Sequence, residues 1–128
     1  MNMRSIELFS GAGGLALGLE QAGFETVALF ERDPSACAAL RHNRPDWQIV
    51  EGDVREVDFS ECGTIDLVAG GPPCQPFSMG GKARGYNDER DMFGEAVRAV
   101  RELRPNAFLF ENVRGLLRPA FANYVEFR

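Results

Sequence analysis

With 128 residues, 45% of them hydrophobic and 26% charged, the chain can build one compact domain and is neither disordered by composition nor membrane-embedded. No apolar run approaches the roughly 20 residues that cross a bilayer, and the start, Met1-Asn2-Met3-Arg4, lacks the apolar stretch and small-residue cleavage site of a secretory signal. The formal net charge of −5 excludes a broadly basic surface, so any polyanion must be met by a local basic patch or by chain outside this sequence.

Taken in chain order, the pattern alternates strand and helix. Ser5-Ile6-Glu7-Leu8-Phe9 reads as a strand that runs into Ser10-Gly11-Ala12-Gly13-Gly14. A helix follows to about Ala22, with Leu15, Leu19 and Ala22 on one face and Gly23 as its stop. Thr26 to Phe30 is the second strand, and Asp33-Pro34 opens the next helix with a capping acid and a first-turn proline. Trp47 to Val50 is a short third strand. Ile65 to Ala69 is a fourth, with the apolar bias of a buried parallel strand. Gly70 to Asp91 is a long loop of glycine, proline and polar residues, a length that is usually functional or disordered. From Met92 to Leu103, Phe93, Ala96, Val97, Val100 and Leu103 recur at helical spacing, and Pro105 ends that helix. Ala107 to Phe110 is the fifth strand, with Glu111-Asn112-Val113 at its carboxyl end. Repeated strand-helix units predict a single α/β domain: a parallel sheet in order 3-2-1-4-5, covered by helices on both faces.

The cysteines are Cys37, Cys62 and Cys74. An odd count without close pairs argues against a disulfide framework or a zinc site, so no metal is expected and a reducing cytoplasm fits best. Cys37 reads as a core residue on a helix face and Cys62 as part of a surface loop. The single histidine, His42, stands near a helix end and reads as solvated.

Gly11, Gly13 and Ala16 fit G-x-G-x-x-[GA] between a strand and a helix. Glycines there let the backbone turn sharply and approach a ligand, while the helix start offers free amides. Glu31 lies about 20 residues on, at the end of the second strand, where an acid hydrogen-bonds ribose hydroxyls. The pattern predicts a nucleoside-type cofactor without choosing between NAD, FAD and S-adenosylmethionine. Asp53, in Glu51-Gly52-Asp53-Val54, ends the third strand and could take an adenine amino group or simply form an Asx turn.

The most informative stretch is Gly70-Gly71-Pro72-Pro73-Cys74-Gln75-Pro76-Phe77-Ser78. Two prolines stiffen the backbone just before a cysteine at the carboxyl end of a buried strand, the edge at which open α/β sheets bind ligands. Most free cysteines only fill space in a core, but Cys74 stands where chemistry is done.

Together, Glu7-Leu8-Phe9-Ser10-Gly11-Ala12-Gly13-Gly14, Glu31, Gly71-Pro72-Pro73-Cys74-Gln75-Pro76-Phe77-Ser78 and Glu111-Asn112-Val113 resemble the amino-terminal part of the C5-cytosine-specific DNA methyltransferases, in the family's order and approximate spacing. The resemblance implies a Rossmann-like fold dependent on S-adenosylmethionine, with duplex DNA as partner. It implies that the Cys74 thiolate attacks carbon 6 of cytosine, making carbon 5 nucleophilic toward the methyl donor. Glu111 would hold a proton against ring nitrogen 3. Phe9 would pack on the adenine ring, Glu31 bind the ribose and Asp53 the adenine amino group. Gly11 and Gly13 would approach the methionine part, and Pro73 would border the cofactor. Asn112 and Val113 would shape the pockets. Residues 78–91 match a mobile loop that closes over a flipped-out base, with Gln75 and Ser78 at its root and Lys82, Arg84 and Arg90 carrying charge for phosphates.

Two departures stand against the family pattern. Arg32 occupies a position at which many relatives place an aromatic against adenine. Further, the family's Gln-x-Arg-x-Arg segment, its target-recognition domain and a late Asn-containing segment do not occur in these 128 residues. The expectation is therefore that residues 1–128 form the amino-terminal part of a catalytic domain, truncated before the last strands, with a second polypeptide as a candidate carrier of the remainder. Three alternatives remain open at this point. A dehydrogenase explains the glycines and Glu31 but neither Cys74 nor Glu111. A non-catalytic cofactor-binding subunit and a methyltransferase acting on tRNA cytosine are the others.

Overall fold

The computed structural model of the chain describes residues 2–73 and 92–112. Within them, five parallel strands, β1 (Arg4–Leu8), β2 (Glu25–Glu31), β3 (Ile49–Glu51), β4 (Leu67–Gly70) and β5 (Ala107–Phe110), form one sheet in order β3-β2-β1-β4-β5. The expected α/β class and strand order are both observed. Three helices connect them: α1 (Gly14–Gln21), α2 (Pro34–Asn43) and α3 (Phe93–Leu103). Between β3 and β4 there is no α-helix among the described residues, only the 3-10 turns Val54–Glu56 and Phe59–Cys62. No helix of the described residues is long and apolar enough to cross a membrane.

Local chemistry sets the helix ends. The Asp33 carboxylate accepts from Ala36 N at 3.0 Å, and Pro34 occupies the first turn of α2, where its missing N–H costs nothing. α1 has no side-chain cap; Gly13 takes the N-cap in a left-handed conformation (φ 93°). Arg104 closes α3 at φ 48°, an uncommon conformation for a residue with a Cβ, and Pro105 prevents continuation.

The sheet is covered on both faces. On one, Ile6, Leu8, Phe30 and Val68 pack against Phe59, Ala96 and Ala99, with the Phe30 and Phe59 rings edge-to-face at 5.7 Å. On the other, Leu29 packs with Ala16, Leu40 and Trp47, while Ala69 packs with Leu19. Each fully buried large side chain contributes about 1.5–3 kcal/mol, so these clusters are the main cohesive term. β5 is the edge among the described strands and leaves Phe108 and Leu109 53% and 48% exposed.

Three local expectations are corrected. Trp47 precedes β3 instead of lying in it; its indole donates to Glu20 at 2.7 Å and its ring fills the α1–α2 face, so burial rather than strand pairing fixes it. Ala22 caps α1 from an exposed position, and Ala16 takes the buried place beside Leu19. Cys62 ends the second 3-10 turn and packs half-buried against the core, where burial pushes its thiol pKa up. Cys37 is buried and His42 exposed, as expected.

One charge-bearing residue sits inside this framework without compensation. Glu7 lies in register with Leu29 and Ala69, between the two apolar clusters under α1. It is 2% exposed, neither carboxyl oxygen has a hydrogen-bond partner, and burial pushes its pKa up to about 7.

Candidate cofactor and active site

The order β3-β2-β1-β4-β5 reverses direction between β1 and β4, and the crevice at the carboxyl ends of such strands is where open α/β sheets take ligands. β1 ends at Leu8, and the chain then reverses through Phe9 and Gly11, both at φ 55°, and Gly13. Phe9 pays a steric penalty for that conformation, the kind of strain that collects at functional edges. Gly13 has no room for a side chain, since a methyl there would stand 2.6 Å from Leu40 Cδ2. Gly11 has the space but not the ordinary backbone angle.

Glu31, the last residue of β2, grips this turn. One carboxylate oxygen accepts from Gly11 N at 2.8 Å; the other accepts from Arg32 N at 2.9 Å and Asp33 N at 2.8 Å. Three of about four acceptor sites are thereby used, which fixes the carboxylate and leaves capacity for a hydroxyl. The sequence suggested only a ligand contact; the tie to Gly11 N closes the turn across 20 residues.

Asp53 follows β3 through Gly52, whose N–H donates to Glu31 O at 3.0 Å. It starts the first 3-10 turn, accepting from Arg55 N at 3.0 Å, so the Asx-type capping role is real. Its carboxylate also receives the Arg55 guanidinium, with Nη2 at 2.6 Å and Nε at 3.0 Å, and these bonds push its pKa down to about 2. Asp53 is thus an ionised acceptor throughout the physiological range.

Phe9, Glu31, Asp53 and Pro73 line one cavity of about 420 Å³, within the range of sites that take nucleoside-sized ligands. Phe30, Arg32, Gly52, Val54, Arg55 and Met92 complete its wall. Sequence reasoning missed Arg55 and Met92; their only signal is proximity to Asp53 and to the start of α3. Arg32, the departure noted above, also lines this cavity. A neighbouring recess of about 400 Å³ is rimmed by Glu51, Glu56, Asp58 and Glu61, and neither Phe9, Glu31 nor Pro73 lines it. Gly11 and Gly13 shape the turn without lining the 420 Å³ cavity.

Glu111 stands just past β5, its N–H donating to Gly70 O at 2.9 Å. A Cβ added to Gly71 would come within 3.1 Å of its Oε2, so the carboxylate lies over the backbone that leads to Pro72 and Pro73. Gly70 is equally constrained, with Leu8 O 2.5 Å from its would-be Cβ. The ends of β4 and β5 therefore converge. Cys74, Gln75, Ser78, Lys82, Arg84, Arg90 and Val113 lie outside the described residues. Among the described residues no group of His, Cys, Asp and Glu could hold a metal ion.

An aromatic side chain and two separated carboxylates therefore share one cavity beside the glycine turn. The family model for C-5 cytosine-specific DNA methylases matches residues 3–126. The chain is 57% identical over 124 residues to the Type II methyltransferase M.NgoMIV of Neisseria gonorrhoeae, covering 97% of this chain and 40% of the relative. It is 45% identical over 126 residues to the Type II methyltransferase M.AquIA of Picosynechococcus, covering 91% of this chain and 51% of the relative. A solved prophage-encoded methyltransferase of Escherichia coli superposes with a TM-score of 0.82 at 33% identity, over 98% of this chain and 36% of the other. Spodoptera frugiperda DNMT2 gives 0.71 at 26%, over 98% and 41%. The chain thus spans between about two fifths and half of the length of these curated relatives. With a match that runs almost from end to end and a parallel sheet built around the same edge, the chain belongs to the C-5 cytosine-specific DNA methylase family.

Proposed function

We propose that residues 1–128 form the amino-terminal part of a catalytic domain that transfers a methyl group from S-adenosylmethionine to carbon 5 of cytosine in duplex DNA. The observation that carries this reading is the convergence of Phe9, Glu31, Asp53 and Pro73 on one cavity, with Glu111 over the backbone that leads to Cys74. In this reading Phe9 packs on adenine, Asp53 accepts from its amino group, and Glu31 accepts from the ribose with its remaining lone pair. The backbone at Gly11 and Gly13 faces the methionine part. The cofactor, when bound, supplies an electrophilic methyl group.

The rest of the chemistry belongs to the chain. The Cys74 sulfur forms a bond to carbon 6 while Glu111 delivers a proton to nitrogen 3, so the ring electrons collect on carbon 5. After carbon 5 has taken the methyl group it gives up its proton to water, the carbon–sulfur bond breaks to return the thiolate, and nitrogen 3 hands its proton back to Glu111. Gln75, Ser78, Lys82, Arg84 and Arg90 meet the target strand while the base is out of the stack. A reducing cytoplasm keeps Cys74 a free thiol.

A net charge of −5 is poor equipment for prying a base from a duplex, which costs a few kcal/mol and is met largely by phosphate contacts. The reading therefore includes a partner: further polypeptide that carries target recognition. The assay is transfer of labelled methyl from S-adenosylmethionine to a cytosine-containing duplex. The 128-residue chain alone is expected to transfer many orders of magnitude more slowly than with the complementary polypeptide, because positioning is worth several kcal/mol of barrier. Robust transfer by the chain alone would refute the need for a partner. Unchanged transfer with Cys74→Ser in the complex would refute the covalent route. Tight cofactor binding that survives Glu31→Ala would move the cofactor elsewhere.

A further inference from the structure

Asp53 caps a 3-10 turn of three residues, Val54–Glu56, closed locally by Glu56 N donating to Asp53 O at 3.0 Å and Val57 N donating to Val54 O at 3.1 Å. What fixes that turn relative to the rest of the fold comes from α3. Arg98 Nη2 donates to Val54 O at 2.9 Å and Nη1 to Val57 O at 3.1 Å, contacts that reach across 44 and 41 residues of sequence. The third nitrogen, Nε, donates to Glu95 at 2.7 Å, and Nη1 also reaches Glu102 at 3.2 Å. The guanidinium plane sits 4.6 Å from the centre of the Phe59 ring, which is fully buried in the second 3-10 turn. All three nitrogens are thus committed, and the side chain is only 29% exposed.

The direction of these contacts matters. Val54 O and Val57 O mark the two ends of the turn that Asp53 caps, Asp53 lines the cavity, and α3 begins beside Met92, which lines it too. Arg98 therefore joins two walls of the cavity, the acid from β3 and the helix that leads to β5 and Glu111. We propose that Arg98 is a positioning residue for the cofactor: it fixes the Val54–Glu56 turn so that the Asp53 carboxylate meets the adenine amino group. This rests on the reading of Asp53 given above. A planar fork with donors in fixed directions can hold two carbonyls and two carboxylates at once; a lysine, with one ammonium on a flexible stem, cannot.

The test uses titration calorimetry on the full chain with two ligands, S-adenosylhomocysteine and its counterpart with hydrogen in place of the 6-amino group. In the wild-type chain the parent is expected to bind about five- to tenfold more tightly, the worth of one good hydrogen bond. Asp53→Asn, which no longer presents an ionised acceptor, should bring that ratio close to one. Arg98→Lys should lower it to about twofold or less, with a smaller change in affinity for the analogue. A merely structural role for Arg98 predicts equal weakening of both ligands and an unchanged ratio, and that result overturns the proposal. A ratio lost in Asp53→Asn but retained in Arg98→Lys rejects Arg98 while sparing Asp53. A ratio retained in Asp53→Asn rejects the adenine assignment and the role of Arg98 with it. Should Arg98→Lys not fold, Glu95→Ala removes the acceptor of Nε on a half-buried helix position; a drop of about twofold in the same ratio supports the proposal, and no drop overturns it.

Discussion

Glu7 and Arg98 lie on opposite faces of the same sheet, and the fold accommodates their charges in opposite ways. Arg98, on the α3 face, brings a partner for each nitrogen: two backbone carbonyls, two carboxylates and an aromatic ring. Glu7, on the α1 face, lies between apolar clusters, and both its oxygens are unpartnered. A charge held by a full set of hydrogen bonds can stay ionised; one without them can be tolerated only by keeping its proton. The first arrangement makes a rigid joint. The second makes stability depend on pH.

The largest expected effect follows from Glu7. Its folded pKa of about 7 is raised above the ordinary carboxyl value of 4.5. Between those values the folded chain keeps a proton that the unfolded chain has released. The stability this gives is fully present below about pH 4.5 and is lost as pH rises through about 7. At roughly 1.4 kcal/mol per pH unit the loss across that window amounts to about 3 kcal/mol. Glu7→Met, which keeps the volume and removes the carboxyl, should flatten this dependence and stabilise the chain most above pH 7. Denaturant titrations at pH 5 and pH 8 measure it, and equal stabilisation at both would mean that Glu7 finds a partner.

Arg98→Ala comes next. Losing charge-assisted bonds to Val54 O and Val57 O together with the stacking on Phe59 should cost about 2–3 kcal/mol, with no pH dependence between 5 and 9. A loss under 0.5 kcal/mol by the same titration would show the joint to be ornamental.

Gly13→Ala sharpens the contrast from the α1 side. The methyl would meet Leu40 at 2.6 Å, and the backbone already stands at φ 93°, so about 1–2 kcal/mol should be lost. If α1 lifts to relieve the clash, water reaches Glu7 and its pKa falls toward 4.5, a shift that carboxyl NMR detects. A full loss of stability with Glu7 still near 7 would show the strain confined to the turn.

Arg55→Ala should do least to stability, because the Asp53–Arg55 pair is exposed to solvent. Its effect is on acidity: without the guanidinium, Asp53 should titrate well above its present value of about 2, toward the ordinary carboxylate range. No movement in an NMR titration would leave the backbone N–H of Arg55 and the charge of Arg32 as the causes.

Much of this molecule could be read along the chain. The alternation of strand and helix, the Asp33-Pro34 start of α2 and the stop at Gly23 depend on residues within a few positions of one another, and all are observed. Glu31 and Asp53 stand out by their places at strand ends, Phe9 and Pro73 through the family resemblance, and the four line a common cavity. Trp47, an apolar residue next to Ile49 and Val50, looks like strand, whereas its ring is drawn under α1 and α2. Cys62 looks like surface because its neighbours in sequence are polar, while its neighbours in space are the core.

The sequence by itself determined the kind of element, the order of elements and the family, since periodicity, turn residues and short motifs act over one turn or one strand. Only the tertiary structure decided which charges are satisfied. Glu7 is a strand residue like any other until Leu29 and Ala69 close beside it, and Arg98 is a surface-looking helix residue until the turns after β3 fold under it. Desolvation and hydrogen bonding are set by what surrounds a group in space, and here the deciding neighbours come from strands and turns 22 to 62 positions away.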